Sequence, residues 1–103
     1  MVPSYLNMND DLPQLIANAG PSQTVSQGSL VTLVGTGSSS NGGTIVSYSW
    51  TQTSGTPVSL TGANTVTPTF TAPTVATSLV FSLTVTDSTG AVSSPSTVTV
   101  TAS

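Results

Sequence analysis

Asp10, Asp11 and Asp87 are the only charged side chains of this 103-residue chain, which has no Lys, Arg, His or Cys. A serine or threonine nucleophile needs a neighbouring base, and general acid–base work needs a side chain that titrates near neutrality. Neither exists here, so the chain is read as no enzyme, with no catalytic residues. Asp10 and Asp11 are adjacent; in an extended chain they point to opposite sides, which suits a solvated kink or a helix cap and not a carboxylate pair. Asp87 heads D-S-T-G, where an Asp side chain accepts a hydrogen bond from the backbone N–H two residues on, so it is read as a turn former.

The run GTGSSSNGG (35–43) has the glycine and hydroxyl content of a phosphate loop. A phosphate loop ends in G-K-[S/T] at a helix start, whereas this run lacks lysine and leads into TIVSYSW, a strand pattern. It therefore reads as a turn, with no cofactor implied. A calcium site needs six to eight oxygens, several of them carboxylates, and the loop offers none, so no metal is expected. Tyr48 and Trp50 could form a sugar-binding platform; because they share one face of a strand, packing into a core is the expected role. Asn7, Asn9, Asn18, Asn41 and Asn64 all lack Ser or Thr two residues on, which excludes the usual N-glycosylation sequon.

Composition narrows the partners. With no basic side chain to neutralise phosphates, nucleic acid is excluded. No stretch reaches the ~20 apolar residues of a spanning helix, so no membrane insertion is expected. Solubility rests on 18 serines and 20 threonines, 38 of 103 residues.

The elements that must position these residues are strands. PSQTVSQG (21–28), SLVTLVG (29–35), TIVSYSWTQT (44–53), VSLTG (58–62), TPTFTAP (67–73), SLVFSLTVTD (78–87) and the closing AVSSPSTVTVTAS (91–103) are short, Thr- and Val-rich runs between turn residues, the pattern of an all-β sandwich. Period-two alternation places Val46, Tyr48 and Trp50 on one face, Leu79, Phe81, Leu83 and Val85 on another, and Val98 and Val100 inward. Pro68 and Pro73 suit an edge, since proline cannot donate to a ladder. No helical period occurs in residues 21–103.

The elements A-x-A-G-P-S-Q-T-V (17–25), G-S-L-V-T-L-V-G-T-G-S-S-S (28–40), I-V-S-Y-S-W-T-Q-T-S-G (45–55), V-S-L-T-G-A (58–63), P-T-F-T-A-P (68–73) and F-S-L-T-V-T-D-S-T-G (81–90) resemble the PKD (polycystic kidney disease) domain family in order and spacing. The resemblance implies a seven-stranded immunoglobulin-like β-sandwich over residues 17–103. It also implies a spacer, adhesion or accessory role on extracellular or cell-surface proteins. Relatives often carry aspartates in the loop after the second strand; the corresponding positions here are Ser40 and Gly42.

Residues 1–16, MVPSYLNMNDDLPQLI, lie outside that resemblance and are read as an N-terminal extension. Val2, Tyr5, Leu6, Met8, Leu12, Leu15 and Ile16 are too many apolar groups for a solvated tail. Two local forms compete: an extended arm over 1–9, or a short helix from Asp11 with Leu12, Leu15 and Ile16 on one face. Natural sheets guard their edges with charge, and the β-domain has only Asp87 to offer. The arm either folds back onto its own domain or packs on a neighbouring copy, in a groove or as an added strand; the second is the reading taken up, with Tyr5, Leu6, Met8, Leu12, Leu15 and Ile16 as interface residues. Five of these side chains at roughly 1.5–3 kcal/mol each, before entropy costs, suffice to hold a repetitive polymer.

The expectation is thus a non-catalytic structural subunit of an extracellular filament or surface fibre that assembles with copies of itself. Two alternatives stand beside it. One is an adhesive or carbohydrate-binding accessory module with a glycan or surface receptor as partner; the other is a phage virion component, a decoration or fibre domain. MVPSYLNMNDD lacks the charged and apolar regions of a secretory leader, so Met1 is either a processed end or a true start outside the secretory route.

Overall fold

The computed structural model describes residues 15–39 and 44–103. All the regular elements among them are strands: β1 Leu15–Asn18, β2 Gln23–Val25, β3 Leu30–Thr32, β4 Thr36–Ser39, β5 Ile45–Ser54, β6 Thr69–Thr71, β7 Thr77–Asp87 and β8 Ser96–Ala102. β-Branched residues at alternate positions explain this, because each such strand gains a dry face by stacking on another.

Two layers result. One is the four-stranded sheet β2-β8-β7-β5, in which β2 runs parallel to β8 and the other neighbours are antiparallel. The other combines the antiparallel pairs β3–β6 and β1–β4. Leu33 N–H donates to Pro68 O (3.0 Å) and Gly35 N–H to Val66 O (2.8 Å), extending the β3–β6 pairing toward β4. Reciprocal bonds between Thr61 and Thr69 (2.8 and 2.9 Å) add the edge of this layer. The layers meet in an immunoglobulin-like sandwich: Val31, Leu33, Phe70 and Ala72 from one pack on Trp50, Leu79, Phe81, Leu83, Val85, Val98 and Val100 from the other. Phe70 and Phe81 make a tilted ring contact across the interior, centroids 4.9 Å apart.

Alternation predicted the buried faces of β7 and β8 as they stand. Elsewhere the structure departs from sequence expectation. The run 29–35 carries β3 and stays bonded through Leu33 and Gly35 to Pro68 and Val66, but the run 35–43, expected to be a turn, opens with a further strand, β4, which takes β1 as its partner. Residues 58–62 form no ladder beyond the bridge at Thr61. Val46 is not inward; the register shifts between Ile45 and Ser47, so Ile45 turns to the core and Val46 is 59% exposed. The helical alternative from Asp11 fails at Leu15 and Ile16, which are the first two residues of β1, where pairing with Ser39 and Ser38 extends the backbone. Eight strands thus stand where seven runs were expected.

Candidate functional site

Trp50 and Gln52, on the same side of β5, arrange the chain around them. The Trp50 ring is 4% exposed, and its Nε1 donates to Thr65 O at 2.8 Å while its backbone N–H donates to Ala63 O at 2.9 Å. Both bonds reach the segment that runs along the free side of β5. Beneath the ring, Gly35 has no room for a methyl group: a Cβ there would lie 2.5 Å from Trp50 Cζ2 and 2.7 Å from Leu83 Cδ2. Tyr48 is half-buried and packs on the same core. Both aromatic side chains thus pack on the core, Trp50 fully and Tyr48 in part.

Gln52 does what sequence reading missed. Its Nε2 donates to Ser54 O (3.1 Å) and Thr56 O (2.7 Å), and its Oε1 accepts from Val58 N–H (3.0 Å). One amide therefore folds residues 54–58 back beside β5. Together with the register shifts at Ile45/Ser47 and Gln52/Ser54, these contacts shield an edge that has no charge to protect it. The signal in the sequence was a Gln at an otherwise Ser/Thr-lined strand, two residues after the Trp.

Residues 56–58 form one wall of an open groove of about 520 Å³. The facing wall is residues 71–75, tied to the 28–29 turn by Ala72 N–H to Ser29 O (2.8 Å) and Gly28 N–H to Pro73 O (3.1 Å). Pro57, Val58, Pro73 and Val75 share the lining with the hydroxyl residues Thr56, Ser59, Thr71 and Thr74. No charged group lines it. The volume lies within the range of small ligand sites.

Asp87 is buried at 2% exposure and closes the β7 turn as expected: Oδ1 accepts from Thr89 Oγ1 (2.6 Å), Thr89 N–H (2.9 Å) and Ala91 N–H (3.1 Å). The Thr89 hydroxyl first, then the backbone N–H groups, hold its carboxyl below the usual range against the opposing pull of burial. All these donors come from its own turn. Among the described residues no group of three His, Cys, Asp or Glu is placed to hold a metal ion.

Of the interface residues expected from sequence, Leu15 is half-buried against the core and Ile16 is 57% exposed on β1. Tyr5, Leu6, Met8 and Leu12 lie outside the described residues, as do Asp10, Asp11, Ser40 and Gly42. Leu30 (71% exposed) and Val34 (53%) extend the exposed apolar positions of the layer that contains β1.

This geometry has known counterparts. The family model described as "K319L-like, PKD domain" matches residues 19–102. The solution structure of the PKD domain from KIAA 1837 protein is similar at 36% identity, with 84% of this chain and 83% of that one covered and a TM-score of 0.67. A nucleoside hydrolase-related hypothetical protein from Saccharophagus degradans, associated with carbohydrate metabolism, matches at 18% identity and TM-score 0.66 over 88% of this chain but 25% of its own. Fibronectin(III)-like modules of Clostridium thermocellum CbhA match at 17% identity and TM-score 0.51, over 86% of this chain and 96% of theirs. The last two share the fold alone. No curated protein matches the sequence significantly. A module of this kind is non-catalytic and typical of extracellular and surface proteins, and no helix among the described residues is long and apolar enough to cross a membrane. With the Trp50 and Gln52 strand, the Phe70–Phe81 core and 84 residues in register with the family model, the chain belongs to the K319L-like PKD domain family.

Proposed function

We propose that the chain is a self-assembling structural subunit of an extracellular filament or surface fibre, joined through its N-terminal residues to the next copy. The observation that supports this is a surplus of apolar residues over those that fill the core. The interior of the sandwich is filled by side chains from Ala19 to Ala102, each at most 4% exposed, while Val2, Tyr5, Leu6, Met8 and Leu12 precede the first strand. Burial of such groups stabilises association by roughly 25 cal/mol per Å². Net charge is only −3, so repulsion between copies is weak. A contact between unlike surfaces propagates into a filament unless its rotation closes a ring. The absence of Lys and Arg also leaves no site for trypsin-like proteases, which suits an exposed fibre.

Sedimentation velocity and negative-stain electron microscopy of the full chain test the reading. Polymers are expected, and Leu6→Asp with Leu12→Asp is expected to abolish them. A full chain that remains monomeric at high concentration refutes it.

A second reading is an accessory module of a larger surface protein or enzyme. It is favoured by the Saccharophagus degradans match, in which this fold accounts for 25% of the chain. It predicts a monomer in the same experiment.

A further inference from the structure

The groove and the chain entry lie at opposite poles of the sandwich. Leu15 pairs with Ser39, and the adjoining Gly37 lies against Val85 and Ile45, where β5 begins and β7 ends. The groove walls, 56–58 and 71–75, follow the end of β5 and precede the start of β7. Ten residues of β5 separate the two poles, roughly 30 Å at strand rise.

We infer that the uncharged groove between residues 56–58 and 71–75 receives Leu6 and Met8 of the next copy, making the junction of a head-to-tail polymer. This rests on the assembly reading above and gives it a site. Several observations select the occupant. In an extended segment Leu6 and Met8 fall on one side and Asn7 on the other, so two apolar side chains enter together. The groove is lined by two prolines, two valines and four hydroxyl residues with no charge, which suits this stretch and disfavours one containing Asp10 and Asp11. Nine residues from Leu6 to Leu15 span up to about 30 Å, ample to cross a junction between stacked poles. The alternative of strand addition on β5 has less backbone to work with, since Ala63 and the Gln52-bound residues already occupy that side. Gln52 acts as a positioning residue: by holding Thr56 and Val58 it fixes one wall.

The chain has no cysteine, so a pair introduced at Met8→Cys and Val75→Cys reports the junction directly. Val75 is 56% exposed at the groove, so its replacement leaves the core intact. Mild oxidation of this full-length double variant is expected to give a ladder of covalent multimers on a non-reducing denaturing gel. An internal disulfide in a monomer means that the segment folds onto its own groove, and overturns both the inference and the assembly reading. Free thiols in a protein that still polymerises overturn the groove but leave assembly standing, and free thiols with a monomeric wild type overturn both. Independently, Val75→Asp is expected to raise the dissociation constant of the junction roughly a hundredfold, as befits a charge placed in an apolar contact. Undiminished polymers of a folded Val75→Asp chain overturn the site.

Discussion

Replacing Gly35 by alanine inserts a methyl group between the strand and the Trp50 ring, and its effect depends on that ring. Gly35 is not among the left-handed glycines, so its backbone accepts alanine, and the cost is steric. The new Cβ would sit 2.5 Å from Trp50 Cζ2, 3.2 Å from Cη2 and 2.7 Å from Leu83 Cδ2, inside ordinary contact distance. Overpacking of this kind costs about 1–3 kcal/mol. Reduced freedom of the unfolded chain returns about 0.4–1 kcal/mol. The expected net loss is about 1–2 kcal/mol, a fall in Tm of roughly 5–15 °C for a domain of this size. Trp50→Phe removes both offending ring atoms, together with the Nε1 bond to Thr65 O, and is itself destabilising by at least the ~0.5–1.5 kcal/mol of that bond. In the Phe background the methyl has only Leu83 to displace, so Gly35→Ala should cost about 1 kcal/mol less, a coupling that a double-mutant cycle resolves. Urea unfolding of the four chains, followed by far-UV circular dichroism because Trp50 is the sole tryptophan, supplies the cycle. If Gly35→Ala costs the same in both backgrounds to within about 0.5 kcal/mol, the ring does not lie over Gly35 and the packing argument is wrong.

Two further predictions follow from the polar contacts. Because the folded-state pKa of Asp87 is held below its unfolded value, its contribution to stability is present above the ordinary carboxylate pKa of about 3.9 and is lost as pH falls through the lower folded value; thermal melts from pH 6 downward should show this acid loss, and Asp87→Asn should flatten it. Gln52→Ala frees Thr56 O and Val58 N–H from their partner and should cost about 1–3 kcal/mol in urea unfolding, with weakened assembly at temperatures where the domain is still folded; unchanged stability would show that residues 54–58 hold their path without the amide.

The parts of the fold legible in the sequence are those in which a strand keeps one partner on each side. β7 and β8 are of this kind, and Leu79, Phe81, Leu83, Val85, Val98 and Val100 could be assigned to the core from alternation alone. Where a strand changes partners, alternation persists while pairing does not. Leu30, Thr32 and Val34 are the outward set of the run 29–35, yet just beyond it, at Thr36, the chain passes to β1, and no local residue type marks the change. Val46 departs from its expected face for a related reason: the extra residue of the bulge turns it outward while Tyr48 and Trp50 keep theirs, and pattern alone does not mark a bulge. Asp87 was legible because its hydrogen bonds are confined to its own turn.

The groove was not legible, because its walls lie more than ten residues apart and are brought together by Gln52 on one side and by the bonds of Ser29 and Gly28 on the other. Its existence alters the argument about association. A sandwich without lysine or arginine would be expected to expose its strand edges, and edges invite pairing by any extended chain. Here the edge of β5 is covered by neutral means, with register shifts, the Ala63 contact and the folded-back residues 54–58. The same folding back that covers the edge forms one wall of the groove, so one amide fixes both. Backbone pairing on an edge accepts almost any extended sequence, whereas a groove of fixed width accepts particular side chains at particular spacing. On the proposed assembly, a domain whose one charged side chain is Asp87 is better served by the second kind of contact, and this is why Leu6 and Met8, two residues apart, are the side chains to test there.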